Sequence, residues 1–296
     1  MPGTFPPELV HRVVDELGEE YHESGCLARG YAYEVLRTCA LVSKRWTFHS
    51  RKHIFKKVRI DPDKHNSAVA PPASILPCIK ELEIFYAYTP TQGTSIADVL
   101  KTFVAAPVER LRITGIVLFE ATAHIQEFIE AHSATLQTVE LQSCSLSASG
   151  VVAVLLGRRH LKILRFIDCH CKDLPLPEQP PIADTPDPKT CSKAVGLELS
   201  ITEGDPWEGP ADVITMIAQL PYRFSRLDID HLVAGEGTTE ATNALIKANA
   251  DVLSSLQVHF IAGMFKPLSG KNNIANCYSI AQRTWRLMSN QNSCST

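Results

Sequence analysis

The residues best suited to chemistry in this sequence are a Cys-His-Cys run and two histidines one helical turn apart. Cys169-His170-Cys171 groups three side chains capable of metal or redox chemistry. A structural zinc site needs a second ligand pair at a set spacing, and no second Cys/His pair stands out. His49 and His53 share a helix face at i and i+4, but the H-E-x-x-H glutamate is missing and basic neighbours disfavour a cation. We therefore predict no metal, no cofactor and no catalytic residue.

Motifs that position a substrate for an enzyme are also missing. The sequence contains neither G-x-G-x-x-G nor G-x-x-x-x-G-K, which cradle phosphates, and no G-x-S-x-G nucleophile elbow. A thiol-dependent or metal-dependent enzyme at residues 169–171 stays open as an alternative. It would need bound zinc or a rapidly alkylated thiol there.

Charge and composition limit the partners and the compartment. The 29 basic and 32 acidic side chains give a net charge of −3, which lacks the basic footprint of nucleic-acid or anionic-membrane binding. Residues 1–8 are rich in proline, without the cationic and apolar segments of a signal peptide, and no run of about 18 apolar residues exists. The nine cysteines show no regular pairing. We expect reduced thiols in a cytoplasmic or nuclear protein.

The feature that could position a binding surface is a spaced series. The pattern L-x-x-L-x-L, with aliphatic substitutions, recurs about every 29 residues. Its last two apolar residues point to one face of an extended chain, and one such strand cannot bury that face alone. The middle apolar positions are Leu82, Leu111, Val139, Leu164, Leu197, Leu227 and Leu256.

This series resembles a leucine-rich-repeat protein. The resemblance implies an α/β fold in which parallel strands form one sheet and outer helices cover its back, here over residues 75–272. Cys144 and Cys169, each three residues after the last apolar strand position, match the repeat's Asn/Cys site in the turn. The predicted strands are 80–85, 110–114, 138–142, 163–167, 195–201, 226–230 and 255–260, and the predicted return helices are 96–103, 122–132, one after Ser147 or Ser149, 212–220 and 238–250.

Three segments fall outside this pattern. Residues 61–74 form a linker or an irregular first repeat. Six prolines between residues 173 and 189 exclude a helix and predict an extended loop. This loop is either a surface excursion without a binding role or a protruding element that helps to select a partner. Residues 273–288 are expected to form a capping helix, followed by a frayed tail to 296.

The amino-terminal 60 residues predict three short helices. Pro6-Pro7-Glu8 opens the first, for which Gly18 is a plausible stop. The second runs over 32–42, and the third starts at residue 43 and leads into a strand at 58–60. So much apolar side chain cannot be buried within some fifty residues, which implies a partner.

Three segments of this module resemble an F-box, particularly the fungal form. They are Phe5-Pro6-Pro7-Glu8-Leu9-Val10, then Leu36-Arg37-Thr38-Cys39-Ala40-Leu41-Val42-Ser43-Lys44-Arg45-Trp46, then Phe55-Lys56-Lys57-Val58, within residues 4–60. The resemblance implies binding to a Skp-type adaptor, and through it to a cullin scaffold and a RING subunit. The residues that it places on or behind the adaptor-facing surface are Pro7, Leu9, Val13, Leu36, Val42 and Trp46.

One interval departs from the family pattern. Residues 18–30 exceed the usual connection between the first two F-box helices, and their polar composition predicts a surface insertion that could crowd the adaptor. The alternative is that the three helices merely cap the repeats, as part of a binding scaffold without a ligase role.

The outward positions of the strands provide the predicted target surface. Seven strands about 4.8 Å apart form a sheet roughly 29 Å wide, which suits a protein partner. The mixed charges on this face also fit a merely solvated surface, whereas apolar groups on a solvent-facing strand often mark contact. We therefore expect a non-catalytic substrate receptor of a ubiquitin ligase, which binds the adaptor with its helices and a target with its strands. The candidate target-binding residues are Phe85, Arg112, Glu140, Arg165, Ile167, Glu198 and Asp228.

Overall fold

The computed structural model has an α/β fold with parallel strands. It describes residues 6–23, 26–42, 44–62, 71–86, 95–116, 118–156, 161–171, 198–202, 211–220, 222–233 and 236–261. The helices in these ranges are α1 (Pro7–Glu23), α2 (Cys26–Val42), α3 (Lys44–Ile54), α4 (Ile96–Thr102), α5 (Leu118–Ala131), α6 (Ala148–Leu156), α7 (Ala211–Gln219) and α8 (Glu236–Asn249), with a 3-10 turn at Leu76–Cys78. The strands are β1 (Lys57–Ile60), β2 (Glu81–Phe85), β3 (Arg110–Thr114), β4 (Thr138–Gln142), β5 (Ser145–Leu146), β6 (Ile163–Ile167), β7 (His170–Cys171), β8 (Glu198–Thr202), β9 (Arg226–Val233) and β10 (Ser255–Ile261).

The chain divides into two compact units. The first comprises Met1–Cys144 with Ser149–Leu161, and the second comprises Ser145–Ala148 with Lys162–Thr296. None of the described helices combines the length and the apolar character that crossing a membrane requires.

In the first unit the four strands β1 to β4 pair in parallel and in chain order. Their apolar residues fall into two rows that cross the strands and, from β2 onward, are buried. The strand predictions made from the L-x-L spacing are thus confirmed for this unit. The rows are Val58–Leu82–Leu111–Val139 and Ile60–Ile84–Ile113–Leu141.

The same backbone hydrogen-bond pattern precedes successive strands. The carbonyl of Lys56 accepts from the amides of Lys80 and Glu81 at 2.9 and 2.8 Å, and the carbonyl of Lys80 accepts from the next pair, Glu109 and Arg110. The carbonyl of Ser225, before β9 in the second unit, accepts from two successive amides before β10 in the same way. The chain therefore enters β2, β3 and β10 in one common geometry.

The second unit repeats the parallel arrangement with β6, β8, β9 and β10. Leu199 is the residue of β8 that aligns with Leu164 and Leu227. The predicted position, Leu197, is therefore wrong by two residues and lies outside the described residues. Because a shift of two residues keeps the same side chains on the same face, the L-E-L-S-I alternation could not distinguish the two frames.

A residue with positive φ follows three of the strands. Gly115, Ser143 and Asp168 each follow the last residue of a strand with φ of 77°, 49° and 51°. The next residue after two of these turns is a cysteine. Cys144 donates its thiol to the carbonyl of Gln142 at 3.2 Å, and Cys169 donates to that of Ile167 at 3.4 Å. Both cysteines therefore close the turn that follows their strand.

A buried polar side chain ends a return helix in each unit. His132 lies just after α5 and its Nε2 contacts the carbonyl oxygen of Ala106 at 2.8 Å. Asn249, the last residue of α8, accepts from the amide of Phe224 at 2.7 Å and donates to the carbonyl of Leu245 at 2.8 Å. Each stands six residues before the next strand, so the two residues occupy equivalent places.

The helical module differs from its prediction at one glycine. Gly18 does not end α1, which continues to Glu23, and α2 begins earlier than predicted, at Cys26. The interval predicted to be a polar insertion is thus mostly helical backbone. The cost of a glycine inside a helix is tolerated here because the His53 ring covers its Cα, where a side chain would not fit.

One further difference concerns the start of the sheet. The strand at residues 57–60 pairs with β2, so the sheet already begins within the segment assigned to the helical module. The proline-rich loop at 173–189 and the capping helix at 273–288 lie outside the described residues.

Candidate functional site

Exposed apolar side chains are concentrated on the three amino-terminal helices. Val13 is 48% exposed and Val42 64% exposed. Among the described residues, the other large hydrophobic side chain of this kind is Val104, just after α4, at 49%. Contiguous exposed apolar surface usually marks a protein contact. The exposed set on α1 to α3 is Leu9, Val13, Tyr31, Tyr33, Leu41, Val42 and Phe48.

The residues that the F-box resemblance selects fall into two groups. Leu9, Val13 and Val42 are exposed, whereas Leu36 is completely buried and Trp46 is half-buried. Leu36 thus lies in the core behind the exposed groups. Pro7 is the first residue of α1, and its side chain lies outside the described part of the structure.

A ladder of alternating charges crosses the outward face of β1 to β4. Arg112 contacts Glu83 at 3.2 Å and is also paired with Glu140, while Lys57 reaches Glu83 at 3.2 Å. Burial alone would raise the pKa of Glu83, but Lys57 and Arg112 outweigh it and hold that pKa below its ordinary value. Arg112 is therefore occupied within the fold.

Glu140 differs from its predicted role. It lies in register with Arg112, on the predicted face, but it is only 1% exposed. A carboxylate can be buried this deeply because Arg112 compensates its charge. Glu140 is thus not available to a target as an open surface group.

The remaining target-binding candidates lie in both units. Phe85 is half-buried, with the Arg59 guanidinium 4.9 Å from its ring centre. Arg165, Ile167 and Asp228 are half-buried, and the side chain of Glu198 lies outside the described residues. A recess beside the ladder, lined by Lys57, Glu81 and Arg110 among others, has a volume of about 50 Å³. Small-molecule sites measure roughly 300–1,000 Å³, so this recess is too small for one.

The Cys-His-Cys run has the geometry of a turn and a short strand. Cys169 lies in the turn, and His170 and Cys171 form β7, paired with β5. The Cys171 thiol points to the sulfur of Met216 at 3.7 Å. Burial and the nearby charge of Asp212 raise the pKa of Cys171 to about 12. A thiol with this pKa is a poor nucleophile at neutral pH.

A cluster of ligand-type side chains joins α1 to α3. His49 and His53 each donate from Nε2 to Oδ1 of Asp15, both at 2.8 Å. Within the described ranges, these three residues are the group of possible metal ligands whose ligand atoms lie within 4.8 Å of one another. The imidazoles are 14% and 18% exposed and the Asp15 side chain is 50% exposed. The cluster is thus enclosed on the histidine side and open at the carboxylate.

Neighbouring residues hold this cluster in place. The ring of His11 stacks on that of His49, with centroids 4.3 Å apart. The His53 ring lies so close to Gly18 that a Cβ there would stand 2.0 Å from Nδ1. Burial alone would raise the pKa of Asp15, but the hydrogen bonds and charges of His53 and His49 hold it below its ordinary value. The carboxylate is therefore ionised at neutral pH.

The sequence interpretation considered His49 and His53 but missed Asp15. The available signal was a second pair at i and i+4, His11 and Asp15, on another helix. That pair becomes informative only when α1 is known to pack on α3.

Comparison with known proteins adds no family to these observations. The chain matches no protein-family model, and no curated protein is significantly similar to it.

Proposed function

We propose that this chain is a non-catalytic substrate-receptor subunit of a ubiquitin ligase of the Skp-cullin-F-box type. Helices α1 to α3 bind a Skp-type adaptor, which connects the chain to a cullin scaffold. The strands, as a leucine-rich-repeat array, bind a target protein. The chain brings the target to the ligase and carries out no chemistry itself.

The observation that carries this proposal is the exposed apolar set on α1 to α3. Val13 and Val42, which the F-box resemblance selects, belong to this set. A three-helix module that only capped the array would turn these side chains inward, because burial of each stabilises the fold by roughly 1.5–3 kcal/mol. Their exposure favours a partner over the scaffold alternative.

Target binding is best supported at the apolar positions of the strands. Phe85 and Ile167 are partly exposed on the outward face, and the Arg59 guanidinium lies beside the Phe85 ring. Arg112 and Glu140, in contrast, are engaged with each other. Phe85 and Ile167 are thus the first positions to change in a target-capture experiment.

A co-elution experiment with matched variants tests the adaptor proposal. The purified chain is mixed with a Skp-type adaptor at micromolar concentration and separated by gel filtration. Val13→Asp should weaken the complex by about 2 kcal/mol or more, roughly 30-fold, as expected for a buried interface anchor. Val104→Asp is the control, because Val104 has the same side chain and the same exposure, 49% against 48%, but lies outside the three helices.

Two outcomes would contradict the proposal. Absence of co-elution with the wild-type chain would remove the ligase role and leave a binding scaffold. Equal weakening by Val13→Asp and Val104→Asp would show that added charge, and not a specific surface, disturbs the complex. Because both valines are half exposed, neither substitution should unfold the chain.

A further inference from the structure

The Asp15, His49 and His53 cluster has the donor set of a transition-metal site. Two imidazole nitrogens and one carboxylate oxygen converge from two helices. Imidazole and carboxylate ligands together suit Zn²⁺ and related divalent ions, and three protein ligands plus water form a common open zinc site. The side chains therefore match such an ion in number and in kind.

The distances are also compatible with an ion. The Asp15 oxygen lies 2.8 Å from each Nε2. Around a tetrahedral Zn²⁺ with bonds of about 2.0–2.1 Å, ligand atoms lie about 3.3 Å apart. Each of these two oxygen–nitrogen pairs must therefore open by only about 0.5 Å. The half-exposed carboxylate gives the ion a path from solvent, and the stacked His11 ring supports His49.

Two independent features indicate that the fold makes room for this arrangement. Gly18 leaves the space that the His53 ring fills, at the cost of a glycine inside a helix. Two of the nearby cations are engaged elsewhere, since Arg12 pairs with Glu16 at 3.2 Å and the Lys52 ammonium lies 5.1 Å from the Phe48 ring centre. Arg12 and Lys52 thus do not compete with a cation at this cluster.

We propose that Asp15, His49 and His53 bind one divalent transition-metal ion such as Zn²⁺, which fastens α1 to α3, with water in the fourth coordination position. On α3, Trp46, which the F-box resemblance also selects, lies one helical turn before His49, but Val13, the adaptor position changed above, lies on α1. On α1, Leu9 and Val13 lie about 200° around the helix from His11 and Asp15, at 100° per residue. Metal binding at Asp15 and adaptor binding at Val13 can therefore be tested independently.

Cobalt titration of the full chain tests this site. The protein is stripped of metal and titrated with Co²⁺, a coloured substitute for Zn²⁺. One ion per chain should give visible d–d bands without a thiolate charge-transfer band, and Zn²⁺ should remove them. Asp15→Asn and His53→Gln should each weaken binding about tenfold or more, because loss of even an outer-shell partner costs that much. His124→Gln, at a surface histidine of α5 that pairs with Glu127, is the matched control and should bind as the wild type does.

Several results would overturn the proposal. They are the absence of visible bands, bands with thiolate character, and Asp15→Asn binding as tightly as the wild type. In each case the cluster would act only as a hydrogen-bonded link between the helices. If His53→Gln fails to fold, Asp15→Asn decides, because the Asp15 side chain is half exposed and its amide variant keeps an acceptor for the histidines.

Discussion

Gly18→Ala should destabilise the chain, although the same change stabilises an ordinary helix. Alanine in place of glycine inside a helix gains about 1 kcal/mol. Here the new Cβ would stand 2.0 Å from Nδ1 of His53, so the ring must move away from Asp15. A hydrogen bond to a charged group contributes roughly 1.5–3 kcal/mol. Because Asp15 is half exposed, the loss of this hydrogen bond should cost an amount near the lower end of that range. The lost packing of the His53 ring adds to this cost.

The expected net effect is a loss of about 1 kcal/mol in the free energy of unfolding. Urea denaturation followed by circular dichroism measures it. In a His53→Ala background the obstacle is gone, and Gly18→Ala should instead stabilise by about 1 kcal/mol. The two positions would then be coupled by about 2 kcal/mol in a double-mutant cycle. Stabilisation by Gly18→Ala in the wild-type background would refute the packing of His53 on α1.

Three further predictions concern Asn249, Glu83 and Cys171. Asn249→Ala should lower the free energy of unfolding in urea by about 3 kcal/mol, because the buried amide of Phe224 loses its acceptor. Asn243 is half-buried in the same helix, and Asn243→Ala should cost under 1 kcal/mol. Equal losses would argue against the hydrogen bond from Phe224 to Asn249. Glu83 has a lowered pKa, so its ionised form stabilises the fold fully above the ordinary value of 4.5 and loses this effect as pH falls through the lower native value. Glu83→Gln should accordingly flatten the acid limb of the stability profile, and an unchanged limb would contradict the ion-pair assignment. Cys171 should react with iodoacetamide at pH 8 far more slowly in the folded chain than in urea, because its pKa is about 12. Rapid labelling of folded Cys171 would instead support a thiol-dependent enzyme.

The strands were predictable from the sequence because their signal is local. Two apolar residues two apart define an inward face, and the recurrence of L-x-L located six of the seven predicted strands in the correct frame. The exception is the predicted strand 195–201, in which four alternate residues are apolar, namely Val195, Leu197, Leu199 and Ile201. Only pairing with the neighbouring strand selects between those frames.

Contacts between residues distant in sequence were not predictable in the same way. Gly18 reads as a helix stop until the His53 ring is known to cover it. Arg112 and Glu140 read as exposed charges until the strand register brings them side by side. In both cases a residue's expected behaviour, ending a helix or facing solvent, is changed by a contact with a residue of another element.

Hydrogen–deuterium exchange with and without a Skp-type adaptor tests the central claim most directly. The account predicts that the adaptor slows exchange in peptides from Pro7–Glu23, Cys26–Val42 and Lys44–Ile54, and that strand peptides such as Arg110–Thr114 are unchanged. Val13→Asp should abolish the protection, and Val104→Asp should retain it. Unchanged exchange in all three helices at saturating adaptor, or protection confined to the strands, would contradict the account.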